Sequence, residues 1–392
     1  MLRLPWSAAP GPRLLAALAA GGLAAAAPPA PPGRADDAKP VPTLAIGAAA
    51  PDFDLPGVDG RRYSLKDFAE ARLLVLVFTA NHCPTAQAYE ERIAALHDEY
   101  AGKGVAVIAV SPNDPRAVRL DELGYSDLGD SLEDMKLRAR DAGFPFPYLY
   151  DGETQAASRR YGPVATPHVF VLDRDRILRF AGRVDDNENP AEVTVRDTRN
   201  AIEALLAGRP VPVATTKVFG CSIKWSDKRG SVDEGLARWA AEPVALAAAD
   251  DAGIREAVKN PTKKLRLVNV WATWCGPCVT EFPELVAIHR MYRGRDFEVV
   301  TISADRPERS AAALEFLRTQ QASTRNLLFA RGDPYALIDL VDPEWRGALP
   351  HTILVAPGGK VLHRSEGAFE PLRLKRAIVG WLGRYYHSVP GR

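Results

Sequence analysis

Two thiols stand three residues apart in Cys275-Gly276-Pro277-Cys278. Residues at that spacing on a helix lie about 5–6 Å apart, a separation that a disulfide can bridge. The surrounding stretch, "NVWATWCGPCVTEFPEL", runs from an apolar strand pattern through a short turn into a helical pattern. The motif therefore opens a helix, where free N–H groups and a partial positive charge favour thiolate over thiol. Cys275 is then the nucleophile, and Cys278, one turn further in, suits the resolving role. Pro277 fits a first turn because it has no N–H to lose there. With four cysteines in 392 residues, composition alone would give about 0.04 such pairs, so the spacing carries information. Zinc would want four ligands, and the chain has no second Cys-x-x-Cys pair. His289, eleven residues past Cys278, is expected on the outer surface of the helix. Neither a metal nor an organic cofactor is expected.

A second stretch, "VFTANHCPTAQAYEERI" (77–93), repeats the layout with one thiol, Cys83. His82 beside it either stabilises a thiolate or is an exposed loop histidine. A lone thiol cannot perform local dithiol exchange, and its sulfenic acid would need a second thiol to condense with. Cys221, in "KVFGCSIKW", is the only cysteine outside the two motifs. Two readings stay open. Cys83 and Cys221 form a transient or permanent disulfide that Cys275 and Cys278 reduce. Alternatively, the first site is degenerate, with an inert Cys83 and a structural or free Cys221.

The elements that must hold these thiols alternate between strand and helix. Residues 50–68 carry Pro-Gly and Asp-Gly turn signals and suggest a hairpin. "RLLVLVFTA" (72–80) and "VAVIAVS" (105–111) read as buried parallel strands. Between them, 84–100 is helical, with Ile93, Leu96 and Tyr100 on one face. A polar stretch, 112–130, reads as an inserted loop. Helices near 131–142, 154–161 and 194–207 follow, with strands "FPYLY", "HVFVLD" (168–173) and "ILRFAG" (177–182) among them. The order then recurs: strand 266–272, helix 278–293, strand 297–305, helix 310–320, strands "NLLFAR", "HTILVAP" and "VLHRSEG", and a closing helix 371–383. Cys83 and Cys278 lie 195 residues apart and Pro167 and Pro350 lie 183 apart, a difference that the 112–130 loop would absorb. The join at 207–225 reads as an extended connector, and 232–260 as an Ala-rich helical preface. The expected class is α/β, with a central mixed sheet flanked by helices, built twice in tandem. The expected division is 1–35 signal peptide, 36–210 first domain, 211–231 connector with Cys221, and 232–388 second domain.

Composition limits the partners. Net charge is +1 and 25% of residues are charged, so no basic excess points to nucleic acid. Four cysteines are too few for a disulfide-stapled scaffold. At the N-terminus, Arg3 and Arg13 precede the apolar run "LLAALAAGGLAAAA" (14–27), the length of a signal h-region, with cleavage expected near Ala35. No other run reaches the roughly 18 apolar residues of a span. The mature protein is expected in the periplasm, without an integral membrane span, where disulfide chemistry is permitted.

"WATWCGPCVTEFPEL" resembles the thioredoxin superfamily, and most closely its exported TlpA/ResA-type reductases. The resemblance covers about 265–385. It implies that Pro350, in "ALPHTIL", is a cis-proline facing the disulfide, with backbone that pairs with an extended substrate. It also implies that Glu281 exchanges protons with the thiols and that Trp274 lies beside Cys275, while Trp271 is open to a core role. Asn269 stands where thioredoxin has a buried aspartate, so that proton route is closed. "APDFDLPGVDGRRYSL" and "FTANHCPTAQAY" are similar to redoxin or peroxiredoxin-like (AhpC/TSA-like) members of the same superfamily, in a group carrying F-T-C-N-H-C-P. Against that pattern Ala80 replaces the first cysteine, and "ATPHVFVLD" supplies Pro167 as the cis-proline. The implied function is an exported thiol–disulfide oxidoreductase reducing disulfide-containing protein substrates, fed by a membrane-linked electron donor. Two rivals are a thiol peroxidase centred on Cys83, with the second domain as its reductase, and an extracytoplasmic binding or chaperone protein.

Overall fold

The structure, a computed structural model, describes residues 40–388. The expected signal peptide and its cleavage point lie outside the described residues.

The hairpin expected at 50–68 is present as β1 (Leu55–Pro56) and β2 (Arg62–Tyr63), paired antiparallel. β3 (Leu73–Phe78) is buried at every position, as a strand covered on both faces must be. It leads to α1 (Pro84–Tyr100), which buries Ile93, Leu96 and Tyr100. β4 (Val105–Ser111), α2 (Leu132–Ala142), β5 (Tyr148–Tyr150), α3 (Ala156–Tyr161), β6 (Ala165–Thr166), β7 (His168–Leu172), β8 (Leu178–Gly182) and α4 (Asp197–Leu206) complete the first half. Its sheet has the order β5-β4-β3-β7-β8. β3, β4 and β5 are parallel, and β7 and β8 run antiparallel.

β9 (Cys221–Ser222) and α5 (Arg229–Ala240) lead to β10 (Ala247–Ala249), α6 (Asp251–Lys259) and β11 (Leu265–Trp271). Then come α7 (Gly276–Tyr292), β12 (Phe297–Ser303), α8 (Ser310–Thr319), β13 (Arg325–Phe329), α9 (Pro334–Val341), β14 (His351–Val355), β15 (Val361–Glu366) and α10 (Pro371–Leu382). The second sheet has the order β10-β13-β12-β11-β14-β15. It repeats the first with one strand added at an edge. Both halves are thus thioredoxin-like folds. Each thiol motif leaves the carboxyl end of a central strand, where open α/β sheets place their ligands.

Two readings of the sequence need correction. The Ala-rich preface is not a helix throughout, because Ala247–Ala249 joins the sheet edge parallel to Leu327–Phe329. Pairing across the sheet overrides alanine's preference for helix. The stretch 112–130 is not a loose inserted loop. Short 3₁₀ turns at Pro115–Ala117 and Leu120–Leu123 fold it, and Leu120 and Leu123 pack on the second core. Tyr292 donates to the Ser126 carbonyl at 2.8 Å, Arg295 to that of Gly124 at 2.9 Å, and Arg384 pairs with Asp127 at 2.6 Å. The insertion therefore joins the two sheets, and the described residues, 40–388, form one unit. The connector packs against the first half: Ile223 and Lys224 are buried, and the Lys224 N–H donates to Asn113 Oδ1 at 2.8 Å.

Candidate active site

Cys275 caps α7, and its sulfur accepts the Cys278 N–H at 3.3 Å. The two cysteines are joined by a disulfide, with their Cα atoms 5.3 Å apart. The turn before them is fixed by Asp305, just past β12. Its carboxylate takes the Thr273 N–H at 2.9 Å and the Thr273 hydroxyl at 2.6 Å. The sequence pattern puts the leading cysteine at an exposed helix start. Its neighbours Trp274, Gly276 and Pro277 are exposed, but Cys275 itself is only 6% exposed and Cys278 is fully buried. Cys275 is thus the less buried member of the pair.

Trp274 is 61% exposed and forms a rim next to Cys275. Trp271 is core, packed on Phe282 and Phe316 at ring separations of 5.0 and 4.9 Å. The Leu349–Pro350 bond is cis. Leu349 is half-buried and Ala348 exposed, and no strand pairs with either among the described residues. His289 is not on an outer surface as expected: both ring nitrogens are buried without a partner. Burial, with Arg293 nearby, lowers its pKa to about 4. Among the described residues no group of three or more His, Cys, Asp or Glu is arranged to hold a metal ion.

Glu281 sits three residues after Cys278, on the same buried face of α7. Burial raises its pKa to about 7, against the opposing pull of the Phe369 N–H and the Asn269 amide, which donate to it at 3.0 and 2.9 Å. Asn269, on β11, thus supports an acid supplied by the helix instead of being one.

The first site is built on the same frame. Phe78 of β3 pairs with His168, just after Pro167; Val270 of β11 pairs with His351, just after Pro350. Counting five residues on from each strand position reaches Cys83 and Cys275. Cys83 caps α1 and accepts the Ala86 N–H at 3.3 Å, as Cys275 accepts that of Cys278. Cys83 therefore holds the place of the leading cysteine, and Ala86 that of the second. The sequence reading, which gave Ala80 the leading place and paired Cys83 with Cys278, is shifted by three residues. Its 195-residue spacing aligned the wrong cysteine, because the strand-to-helix turn carries no periodic pattern that sets register.

His82 is not an exposed loop residue. It is buried, and its Nδ1 lies 2.6 Å from Asp130 Oδ2. Asp130 also accepts the N–H groups of Asn81 and His82 at 2.9 and 3.1 Å and the Asn113 amide at 2.7 Å. This matches the second site, where Asp305 takes the N–H of Thr273, two residues before the cysteine. Nothing local in the sequence marks Asp130 or Asp305. The Thr166–Pro167 bond is cis. Cys83 is fully buried, its sulfur 3.3 Å from the Thr166 carbonyl oxygen and in hydrogen-bond contact with the Cys221 thiol. Burial opposes its ionisation, but the Cys221 contact and the His82 charge bring its pKa down to about 6, while Cys221 is pushed up by donating to it.

A model of the AhpC/TSA family matches residues 46–181 and again 245–364. A thiol:disulfide interchange protein, CycY, of Rhizobium leguminosarum is 29% identical over 147 residues, which are 36% of this chain and 66% of that protein. The alkyl hydroperoxide reductase E of Mycobacterium tuberculosis is 28% identical over 172 residues, 42% of this chain and 97% of that protein. A hypothetical protein of Sinorhizobium meliloti has a solved structure 34% identical, covering 47% of this chain and 97% of that one at a TM-score of 0.42. The chain thus spans just under two thirds of the Rhizobium protein's length. The double match covers both thiol motifs and nearly all of both sheets, and the chain belongs to the AhpC/TSA family.

Proposed function

We propose that the protein is an exported thiol–disulfide oxidoreductase that reduces protein disulfides through Cys275 and Cys278. The carrying observation is a disulfide at a helix N-terminus whose leading cysteine caps the helix beside exposed Trp274, Gly276 and Pro277, while the second is fully buried. In the reduced protein, the Cys275 thiolate attacks one sulfur of a client disulfide and expels the other as a thiolate. Cys278 then attacks the Cys275 sulfur, releases the client's second thiolate and restores the disulfide. Leu349, unpaired beside cis-Pro350, meets the client chain in extended form, and Trp274 flanks it. The family relatives named as thiol:disulfide interchange proteins and ResA support this reading. Return to the dithiol takes electrons from a membrane-linked donor. The N-terminal signal pattern supports export, and no helix among the described residues is long and apolar enough to cross a membrane. The working division remains 36–210, a connector at 211–231, and 232–388. The test is reduction of a disulfide-bonded protein substrate by the pre-reduced protein, with loss in Cys275→Ser.

Glu281 serves as the proton store in this cycle. Near neutrality it takes the Cys278 proton when the carboxylate is present and returns one below its pKa of about 7. Glu281→Gln is expected to slow resolution of the mixed disulfide by about tenfold or more and to remove the limb of the pH–rate profile near pH 7. The substitution is sterically mild. With the Asn269 amide turned, its otherwise unpartnered Oδ1 accepts from the glutamine NH₂, and the glutamine oxygen accepts from Phe369. Stability gives a second signature. A carboxyl whose folded pKa lies above its unfolded value binds more protons folded, so wild-type stability falls as pH rises from 4.5 to about 7. In Glu281→Gln that slope is expected to vanish in urea titrations.

A second reading, thiol peroxidase chemistry at Cys83, is favoured by the lowered pKa of that thiol. Peroxide consumption unchanged in Cys83→Ser would remove it.

A further inference from the structure

The segment before the cis-proline, which no strand pairs in the second half among the described residues, is paired in the first. Thr166 and Ala165 lie directly before cis-Pro167 and pair antiparallel with Cys221 and Ser222 of β9. The register sets Cys221 opposite Thr166, the residue whose carbonyl touches the Cys83 sulfur. Gly220 makes this approach possible: its φ is +132°, and a Cβ there would fall 2.0 Å from the Thr166 oxygen. On the far side, the Lys224 carbonyl accepts from the Asp114 N–H and the Gln155 amide, both at 2.9 Å. The segment is thus seated at both ends, and Cys221 supplies from a strand the second sulfur that Ala86 lacks on the helix.

We propose that Cys83 and Cys221 are an internal dithiol–disulfide couple, in which β9 lies where an extended client would lie and, once oxidised, closes the first site to other chains. The oxidant is a low-molecular-weight disulfide such as oxidised glutathione. With β9 lifted, the Cys83 thiolate attacks one sulfur of that disulfide, breaks its S–S bond and expels one thiolate, which takes up a proton. Cys221 returns with β9 and attacks the Cys83 sulfur; the second small thiol leaves with the Cys221 proton. Two electrons pass from the protein thiols to the small disulfide, and one disulfide forms for each one broken. His82, held by Asp130, places an imidazole beside the sulfur that attacks first.

The test uses the mature chain carrying Cys275→Ser and Cys278→Ser, so its outcome is independent of the second-site chemistry. The protein is equilibrated over a range of reduced-to-oxidised glutathione ratios, quenched, denatured and labelled with a maleimide mass tag. The expected result is two tags or none, with no singly tagged species, and a tryptic cross-link joining the Cys83 and Cys221 peptides. Adding Cys221→Ser is expected to leave one stable glutathione adduct on Cys83. Two tags at every ratio, or independent glutathione adducts on both cysteines, would overturn the proposal. If the double variant does not fold by circular dichroism, the same cross-link is sought in the wild-type protein, where its absence under oxidising conditions has the same meaning.

Discussion

Cys275→Ser is expected to lower kcat/KM for protein disulfide reduction by about a thousandfold or more, equivalent to about 4 kcal/mol of transition-state stabilisation. Serine keeps the shape of the cap but is not ionised near neutrality. It can neither attack nor be attacked at sulfur. Cys278→Ser separates the two halves of the reaction. Attack by Cys275 survives, because its thiolate stays at the cap of α7, but nothing then expels the client. A mixed disulfide is expected to accumulate to about one per protein, visible on a non-reducing gel and reversed by dithiothreitol. If client complexes formed without a covalent bond, the protein would be a binding protein whose cysteines are incidental.

Asp130→Ala is expected to produce the largest loss of stability among single substitutions near the first site, about 3–5 kcal/mol. The carboxylate is fully buried and accepts four hydrogen bonds, two from backbone and one each from His82 and Asn113. Removing it strands those donors. It also frees Asn113, whose oxygen holds the Lys224 N–H, so β9 loosens as well. The pH dependence follows from the pair. Burial opposes the Asp130 charge, but attraction to His82 and the hydrogen bonds to it bring its pKa below 3.8. That contribution is complete above 3.8 and is lost in acid as pH falls through the lowered value. Burial opposes the His82 charge too, but Asp130 raises its pKa above 6.5. That part is complete below 6.5 and is lost as pH rises through the raised value. The difference between wild type and Asp130→Ala, measured by urea unfolding, is expected to be greatest between pH 3.8 and 6.5.

The parts of this molecule written in local pattern were legible in its sequence. β3 is a continuous apolar run and β11 is apolar apart from Arg266 and Asn269, α1 and α7 begin at cysteines followed within two residues by proline, and both X-Pro turns precede buried strands. The parts set by contacts distant in sequence were not. Asp130 meets His82 across 48 residues. β9 and β10 are strands of two and three residues, too short for any period to show, and β10 is three alanines. α9, over Pro334–Val341, passed unnoticed because its eight residues are apolar on most sides. The register error at Cys83 has the same origin. Only pairing between strands reveals which residue faces the cis-proline loop, and that decides which of two cysteine positions survived.

The central claim is that Cys275 is the reachable, ionised member of its pair. Native-state alkylation of the fully reduced protein with iodoacetamide, followed over pH and mapped by mass spectrometry, measures this directly. Cys275 should be carboxamidomethylated first, with a midpoint below the ordinary thiol value of about 8.5, while Cys278 stays unmodified. A Cys275 that resists the reagent up to about pH 9, or that reacts only after Cys278, would contradict the account.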